Sequence, residues 1–174
     1  MNGITHRTYH ERDAADIKAM INEAFHIHRY MTKERLLGSA LEIYLRECLL
    51  ASTYTRVAVQ DGRVVGVIMG RVPGRPRVPG VARNRVLTWA HMAKIAVTGL
   101  TDLPLLAQHF TFHHVYRRLR HNTTVPLTDE LTLFVVDAST RGTGIGKTLY
   151  HDYMRYLRDN GRKDFYLYTD SLCT

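Results

Sequence analysis

The chain has 174 residues, of which 45% are hydrophobic and 23% charged, and its formal net charge is +8 at pH 7. This length and balance predict one globular domain and exclude a disordered or fibrous chain. The longest apolar runs, near 64–70 and 133–136, are far shorter than the roughly 18 residues of a membrane span. The N-terminus lacks an apolar signal segment, and Cys48 and Cys173 are too few for a secreted disulfide framework. We therefore expect a cytoplasmic protein with no membrane partner.

The positive charge is compatible with nucleic acid, a membrane surface or an anionic small ligand, because the same field attracts all three. Basic residues cluster at 71–85 and 117–120, but no aromatic residues interleave the first cluster as a base-stacking platform requires. We expect a solvated basic surface and no nucleic-acid partner. Four histidines lack Cys, Asp or Glu at a known ligand spacing, so we also expect no metal: His26, His28, His113 and His114.

Hydrophobic periodicity and turn residues predict a strand, two helices and a hairpin in the first half of the chain. In order, these are a strand at 4–9, a helix opening at 13–16, a helix at 34–50 and a hairpin of 57–60 with 64–72. Prolines and glycines predict a loop at 73–80. Apolar residues at helical spacing predict an extra helix at 103–119.

The most informative segment runs from 129 to 150 and combines a strand, a glycine loop and a helix. Residues 131–136 are apolar except for Thr132, as expected of a strand buried on both faces. Apolar residues then recur at helical spacing until Asn160-Gly161, and 164–169 predicts a further strand. Three glycines at the turn leave backbone N–H groups free at the helix start, where the dipole favours negative charge. The sequence therefore predicts an anion site, most naturally for a pyrophosphate.

Two motifs compete for this loop. A Walker A motif would require glycine at 141, which is Arg, although Gly146-Lys147-Thr148 fits its end. Only 26 residues follow Thr148. This is too few for the further strands and the Mg²⁺-binding carboxylate that P-loop NTPases place after the motif. The same loop, Arg141-Gly-Thr-Gly-Ile-Gly146, resembles without defect the Arg/Gln-x-x-Gly-x-Gly/Ala motif of the GNAT superfamily of N-acetyltransferases. The resemblance extends back to Glu130, eleven positions before Arg141, and forward through the following helix and strand.

The resemblance implies an α/β GNAT-like fold, with a mixed twisted sheet flanked by helices, and an acetyl-CoA-dependent N-acetyltransferase acting on a primary amine. Acetyl-CoA would lie where the strand at 130–136 splays from the strand at 164–169. The strand would hold the pantetheine arm through backbone groups of Phe134, Val135 and Val136. The loop and helix start would hold the pyrophosphate: Arg141, Gly142, Thr143, Gly144, Ile145, Gly146, Lys147 and Thr148.

Glu130 is the candidate base, through a water, with Asp129 as its alternative. The competing interpretation is a solvated carboxylate at a strand end, paired with a nearby Arg. We expect one domain over 1–174, with a helical insertion at about 73–127. The family normally continues past this C-terminus with strands and a Tyr that protonates the thiolate, so we expect a truncated C-terminus. A partner's strands or Tyr168 would replace what is missing, and the exposed sheet edge favours a homodimer.

Two further interpretations remain open: a CoA-binding domain with impaired catalysis and, less favoured, a P-loop nucleotide-binding module. The acceptor is a small-molecule or peptide amine that the sequence does not identify. Six aromatic residues fit packing of the sheet and helices, some of them beside the acceptor: Trp89, Tyr150, Tyr153, Phe165, Tyr166 and Tyr168.

Overall fold

A computed structural model describes residues 3–30, 34–98 and 128–168. Its described elements are, in chain order, β1 Thr5–Arg7, α1 Ala14–Phe25, α2 Ile27–Tyr30, α3 Glu34–Ala51, β2 Tyr54–Gln60, β3 Arg63–Arg71, α4 Val81–Thr98, β4 Glu130–Val136, α5 Ile145–Asp159 and β5 Tyr166–Leu167. The strands form one sheet in the order β1-β2-β3-β4-β5. The first four are antiparallel to their neighbours, whereas β5 runs parallel to β4. The prediction of an α/β fold with a mixed sheet flanked by helices is confirmed.

Helices cover both faces of the sheet, and each face has its own apolar core. On one face α1 and α3 bury aliphatic side chains against β2, β3 and β4, and the largest include Ile17, Ile21, Leu45 and Leu49. On the other face α5 buries Ile145, Leu149, Tyr153 and Leu157, spaced four residues apart. Each such side chain contributes about 1.5–3 kcal/mol through burial. The prediction that 131–136 is buried on both faces is only partly confirmed. Leu133 and Val135 are buried in the core beside α1 and α3, whereas Phe134 on the α5 side is exposed.

Two glycines of β3 let α5 lie close to the sheet. A Cβ at Gly66 would lie 3.0 Å from Leu149 Cδ1. A Cβ at Gly70 would lie 2.3 Å from Tyr153 Cε2 and 2.5 Å from its hydroxyl oxygen. The Tyr153 ring cannot easily move away, because it is fully buried and its hydroxyl donates to the Glu130 carbonyl at 2.9 Å.

A network of ion pairs and hydrogen bonds around the buried Arg46 joins α3 to α1, to α4 and to the turn before α1. Arg46 is 2% exposed, and its Nε donates to Glu42 Oε1 at 2.8 Å. Its Nη1 donates to Glu11 Oε2 at 2.8 Å and to Asn84 Oδ1 of α4 at 3.0 Å. Lys18 of α1 completes the network with a 2.5 Å contact to Glu42. Because a buried charge is tolerated only when paired, these contacts fix α1, α3 and α4 relative to each other.

Helix α4 buries polar residues and exposes its large apolar ones, the reverse of what hydrophobicity predicts. Its buried residues are Asn84 and Thr88, and Thr88 Oγ1 donates to the Asn84 carbonyl at 2.9 Å. Its large apolar residues Val86, Trp89 and Val97 are exposed, and Trp89 is 71% exposed. The prediction that Trp89 packs within the fold is therefore wrong. The buried Asn84 side chain is satisfied by Arg46, whose guanidinium donates to its amide oxygen.

The remaining predicted elements agree with the structure, with two exceptions. The irregular loop at 73–80 is confirmed. Helix α5 ends at Asp159, with Asn160 as its C-cap residue and Gly161 following at φ +70°. The described strand β5 is shorter than the predicted 164–169, because the ladder to β4 joins only two residue pairs. Helix α4 lies within the range of the predicted helical insertion at about 73–127, but no helix was predicted at 81–98 itself. The helix predicted at 103–119 lies outside the described residues.

Replacing Gly70 with alanine should destabilise the protein by about 1–3 kcal/mol, the usual cost of overpacking a core. The added methyl group would overlap the buried Tyr153 ring. The measurement is the free energy of unfolding in urea. Gly38→Ala is the matched control, because Gly38 lies exposed in α3 with open space around it. That control should be neutral or stabilising by up to about 1 kcal/mol. Equal stability of the two variants would contradict the described packing of α5.

Acid should destabilise the protein through the paired carboxylates. Hydrogen bonds from Arg46 lower the pKa of Glu11. Burial raises the pKa of Glu42, but hydrogen bonds from Lys18 and Arg46 outweigh it, so the net pKa is lowered. A carboxyl whose pKa is lower in the folded state than in the unfolded state stabilises the folded protein. This contribution is complete above the unfolded pKa of about 4.3 and is lost as pH falls through the folded pKa.

The free energy of unfolding should therefore fall from about pH 5 downward. Urea titrations from pH 7 to pH 3 measure this decrease. Glu42→Gln should lower stability at pH 7 and flatten the decrease, whereas Glu23→Gln, an exposed site in α1, should change neither. Parallel curves for all three proteins would show that the Arg46 network does not contribute.

Candidate functional site

The loop between β4 and α5 has the backbone of an anion site. Gly142 and Gly144 have φ of +82° and +85°, a conformation in which a side chain is strained. A Cβ at either position would meet nothing within 4 Å, so the glycines face open space. The loop therefore offers room for a ligand to approach its backbone.

Helix α5 begins at this loop with its first N–H groups uncapped. Gly144 is the N-cap residue and provides no side-chain cap. The first helical hydrogen bond of this turn runs from Thr148 N to the Gly144 carbonyl at 3.0 Å. The N–H groups of Ile145, Gly146 and Lys147 precede that bond and have no carbonyl four residues back within the helix. Together with the helix dipole they favour an anion at this end.

Side chains around the loop divide into those that support it and those that face outward. Asp137 Oδ1 accepts hydrogen bonds from Ser139 N at 2.9 Å and Ser139 Oγ at 2.5 Å, which lower the pKa of Asp137. The Ile145 side chain is buried in the core, so only its backbone faces the loop. Arg141 and Lys147 are exposed there. The Thr148 hydroxyl donates to the Gly144 carbonyl at 3.2 Å.

The end of β4 lies against the start of α5. A Cβ at Gly146 would lie 3.4 Å from Val136 Cγ2 and 3.7 Å from Phe134 Cζ. The Phe134 side chain is 36% exposed, whereas Val135 is buried in the core on the opposite face. Two of the three residues predicted to contact pantetheine, Phe134 and Val136, thus lie beside the first turn of α5, and Val135 can contribute only backbone groups.

A cleft between β4 and β5 is consistent with their pairing. The ladder joins Glu130 to Tyr166 and Leu131 to Leu167. From Thr132 onward β4 has no ladder partner in the described part of β5. Thr132 also lies at a bulge, because Met69 pairs with Leu133 and Gly70 with Leu131. On the edge of β4 away from β3, the backbone between the bulge and the glycine loop therefore has no ladder partner among the described residues.

Glu130 is the first residue of β4, at the paired end of the β4–β5 ladder, and is held by two tyrosines. Tyr153 donates to its carbonyl at 2.9 Å, and Tyr166 donates to its carboxylate Oε2 at 2.8 Å. The partner expected for a solvated Glu130 was an arginine, and the observed hydrogen-bond donor is a tyrosine. Asp129, the alternative base, is buried, and its Oδ1 lies 3.6 Å from Arg162 Nε.

Glu130 faces the α1 and α3 side of the sheet. Its neighbour Leu131 packs on the α5 side, and successive residues of a strand face opposite sides. Burial, followed by the charges of Glu47 and Glu130, raises the pKa of the Cys48 thiol in α3. The Glu130 carboxylate is therefore close to the C-terminal end of α3.

Arg71 of β3 is the neighbour of Glu130 across the β3–β4 ladder, on the side of β4 away from Tyr166. The register pairs Arg71 with Glu130 and Glu130 with Tyr166, so the three residues form one row across β3, β4 and β5. Arg71 Nε is buried and has no hydrogen-bond partner among the described residues. Sequence reasoning did not single out Arg71, and it placed Tyr166 only among the aromatic residues of the packing or the acceptor side, because only strand register brings the two beside Glu130.

The described residues contain no group of three or more His, Cys, Asp or Glu that could hold a metal ion. His113, His114 and Cys173 lie outside the described residues, as does the segment 169–174. Of the helices that the structure describes, none is long and apolar enough to cross a membrane.

No family model and no curated protein matches this sequence. Solved structures do match the fold. A GNAT family acetyltransferase from Brucella melitensis, solved in complex with acetyl-CoA, is 17% identical with a TM-score of 0.50, and the match covers 98% of this chain and 78% of that one. The GCN5-related glucosamine N-acetyltransferase region of a fungal multi-domain GH3 β-N-acetylglucosaminidase is 14% identical with a TM-score of 0.51, covering 98% of this chain and 14% of that one. With the mixed sheet, its two-pair β4–β5 ladder and the glycine loop before α5, these matches show that the chain has the fold of the GNAT family acetyltransferases.

Proposed function

We propose that this chain transfers the acetyl group of acetyl-CoA to a primary amine. The observation that carries the proposal is the uncapped start of α5 behind two left-handed glycines, next to a strand whose backbone has no ladder partner in the described part of β5. The loop suits a pyrophosphate and the strand suits the amide-containing pantetheine arm. The Brucella melitensis structure of the same fold was solved with acetyl-CoA.

In this proposal, acetyl-CoA supplies an activated thioester, and the chain supplies binding, orientation and proton transfer. Backbone N–H groups of Ile145, Gly146 and Lys147 hold the phosphates, with the positive charge of Arg141 beside them. Backbone groups of 134–136 orient the pantetheine arm, while the Phe134 ring flanks it. Ordered contacts of this kind hold the thioester in one position relative to the acceptor.

Glu130 is the proposed base. An ammonium must lose a proton before its nitrogen can attack a thioester, and a carboxylate can accept that proton directly or through one water. The Tyr166 hydroxyl donates to one carboxylate oxygen, Oε2, so Oε1 is the oxygen left to accept from the acceptor. The thiolate also needs a proton, and Tyr168, which contacts the Tyr166 ring edge-on with centroids 5.5 Å apart, is the candidate donor in the described region.

We further propose a cytoplasmic protein forming a homodimer, in which residues 1–174 belong to one domain with an insertion at about 73–127. The sequence-based interpretations of a CoA-binding domain without turnover and of a nucleotide-binding loop are the alternatives. Binding of acetyl-CoA without thiol release for any amine would favour the first. Binding of Mg-ATP alone would favour the second.

Blocking the loop should abolish acetyl-CoA binding without unfolding the chain. Gly144→Trp places a bulky side chain in the open space where the phosphates would bind, and calorimetric titration should show at least a 100-fold weaker affinity. Gly62→Trp is the matched control, because Gly62 has φ +78° and nothing within 4 Å, at the turn between β2 and β3. It carries the same strain but should retain affinity. Equal affinity of both variants would remove the phosphate site from this loop.

Glu130→Gln should lower the rate of thiol release by about 10²–10⁴-fold, the usual contribution of a general base. The affinity for acetyl-CoA should stay within about twofold, since no cofactor contact is assigned to this side chain. Asp164→Asn, an exposed carboxylate just before β5, should change neither quantity. An unchanged rate in Glu130→Gln would show that another group removes the proton.

A further inference from the structure

The row formed by Arg71, Glu130 and Tyr166 contains a cation that no residue of the described fold neutralises. Other buried or half-buried arginines have carboxylate partners: Arg7 pairs with Asp13 at 2.6 Å and Arg46 with Glu42 at 2.6 Å. Arg71 has no ion pair among the described residues, and its buried Nε has no hydrogen-bond partner. A half-buried guanidinium without an acceptor is costly, because burial removes water that would otherwise hydrogen-bond to it.

Glu130 does not neutralise Arg71, although it is its direct neighbour across the β3–β4 ladder. The carboxylate of Glu130 instead accepts from Tyr166, on the opposite side of β4. Neighbouring positions in such a ladder have Cα atoms about 4.5–5.5 Å apart and side chains on the same face. The row therefore presents a guanidinium, a carboxylate and a phenol in that order on the α1 and α3 side.

We propose that Arg71 binds an anionic group of the acceptor, so that the preferred substrates are amines that also carry a carboxylate or phosphate. This inference rests on the proposed acetyltransferase function. The amine would lie at Glu130, which accepts its proton, and the anion would lie at Arg71. Guanidinium groups bind carboxylate and phosphate through paired hydrogen bonds, which gives orientation as well as affinity.

The chemistry restricts the class of acceptor. An amine without an anionic group would displace water from Arg71 and leave its N–H donors without acceptors. The desolvation penalty of these unsatisfied donors then weakens binding by more than the absence of an ion pair alone. A second positive group would meet the guanidinium as a like charge. The site is therefore expected to discriminate against polyamines and other cationic acceptors.

The test compares acceptors in matched pairs of which only one member carries an anionic group, with acetyl-CoA saturating. The pairs are β-alanine against its amide, phosphoethanolamine against ethanolamine, and short peptides beginning with Asp against those beginning with Asn. The peptide pair distinguishes an acidic peptide from a free small molecule as the source of the anion. We expect kcat/KM to be about 10- to 100-fold higher for the anionic member in at least one pair.

Arg71→Gln should reduce that ratio to near one, and Arg71→Lys should restore part of it. Arg75→Gln is the matched control, because Arg75 belongs to the same basic cluster but lies exposed in the loop after β3, and it should keep the ratio. Because the readout is a ratio within one protein, a general loss of stability cannot produce the expected result. Equal use of both members by the unchanged chain, or an unchanged ratio in Arg71→Gln, would overturn the inference.

Equilibrium binding separates this inference from the proposed function. Calorimetric titration of the CoA-saturated chain with each pair should show the same preference for the anion, lost in Arg71→Gln, even if turnover is slow. Absence of acetyl-CoA binding would refute the proposed function. Normal acetyl-CoA binding and turnover with no preference for anionic amines would refute the role of Arg71 alone.

Discussion

The close contact of α5 with the sheet is the constraint on which the candidate site depends. Gly66 and Gly70 remove the side chains that would hold the helix away, and Tyr153 fills the space beside Gly70. The same tyrosine donates to the Glu130 carbonyl, so one buried residue relates the helix to the first residue of β4. The helix start, and with it the proposed phosphate-binding loop, is therefore fixed relative to the candidate base. Positioning of this kind allows a site to orient a reaction without reorganising.

The opposite face of the sheet is organised by charge as well as by apolar packing. Arg46 joins α3, α4 and the turn before α1 through the buried side chains of Glu42 and Asn84 and the exposed carboxylate of Glu11. Such a network specifies one arrangement of helices more sharply than aliphatic contacts alone, because a misplaced helix would leave a buried charge unpaired. The C-terminal end of α3 then lies beside Glu130, where the acceptor would bind. In the proposed site, α5 would therefore lie on the donor side and α3 on the acceptor side.

Periodicity and turn chemistry were sufficient to predict most of the sheet and its covering helices, since β2, β3, β4 and α5 follow those rules. They failed for α4 because its buried face carries Asn84 and Thr88 whereas Trp89 is exposed. Hydrogen bonding to Arg46 decides which face of α4 is buried, and Arg46 lies far from α4 in sequence. The glycine loop could be predicted because it is contiguous. The row of Arg71, Glu130 and Tyr166 could not, because register between distant strands is not contained in any local pattern.

The account rests most directly on the claim that the start of α5 binds the phosphates of CoA. Backbone amide NMR spectra of the chain, titrated with CoA and separately with Mg-ATP, test this claim at individual residues. The account predicts that CoA shifts the amide signals of 142–147 most strongly and those of 134–136 as the pantetheine arm binds, while Glu23 on α1 stays unchanged. Saturating CoA that leaves the amides of 142–147 unshifted, or shifts there with Mg-ATP but not with CoA, would contradict it.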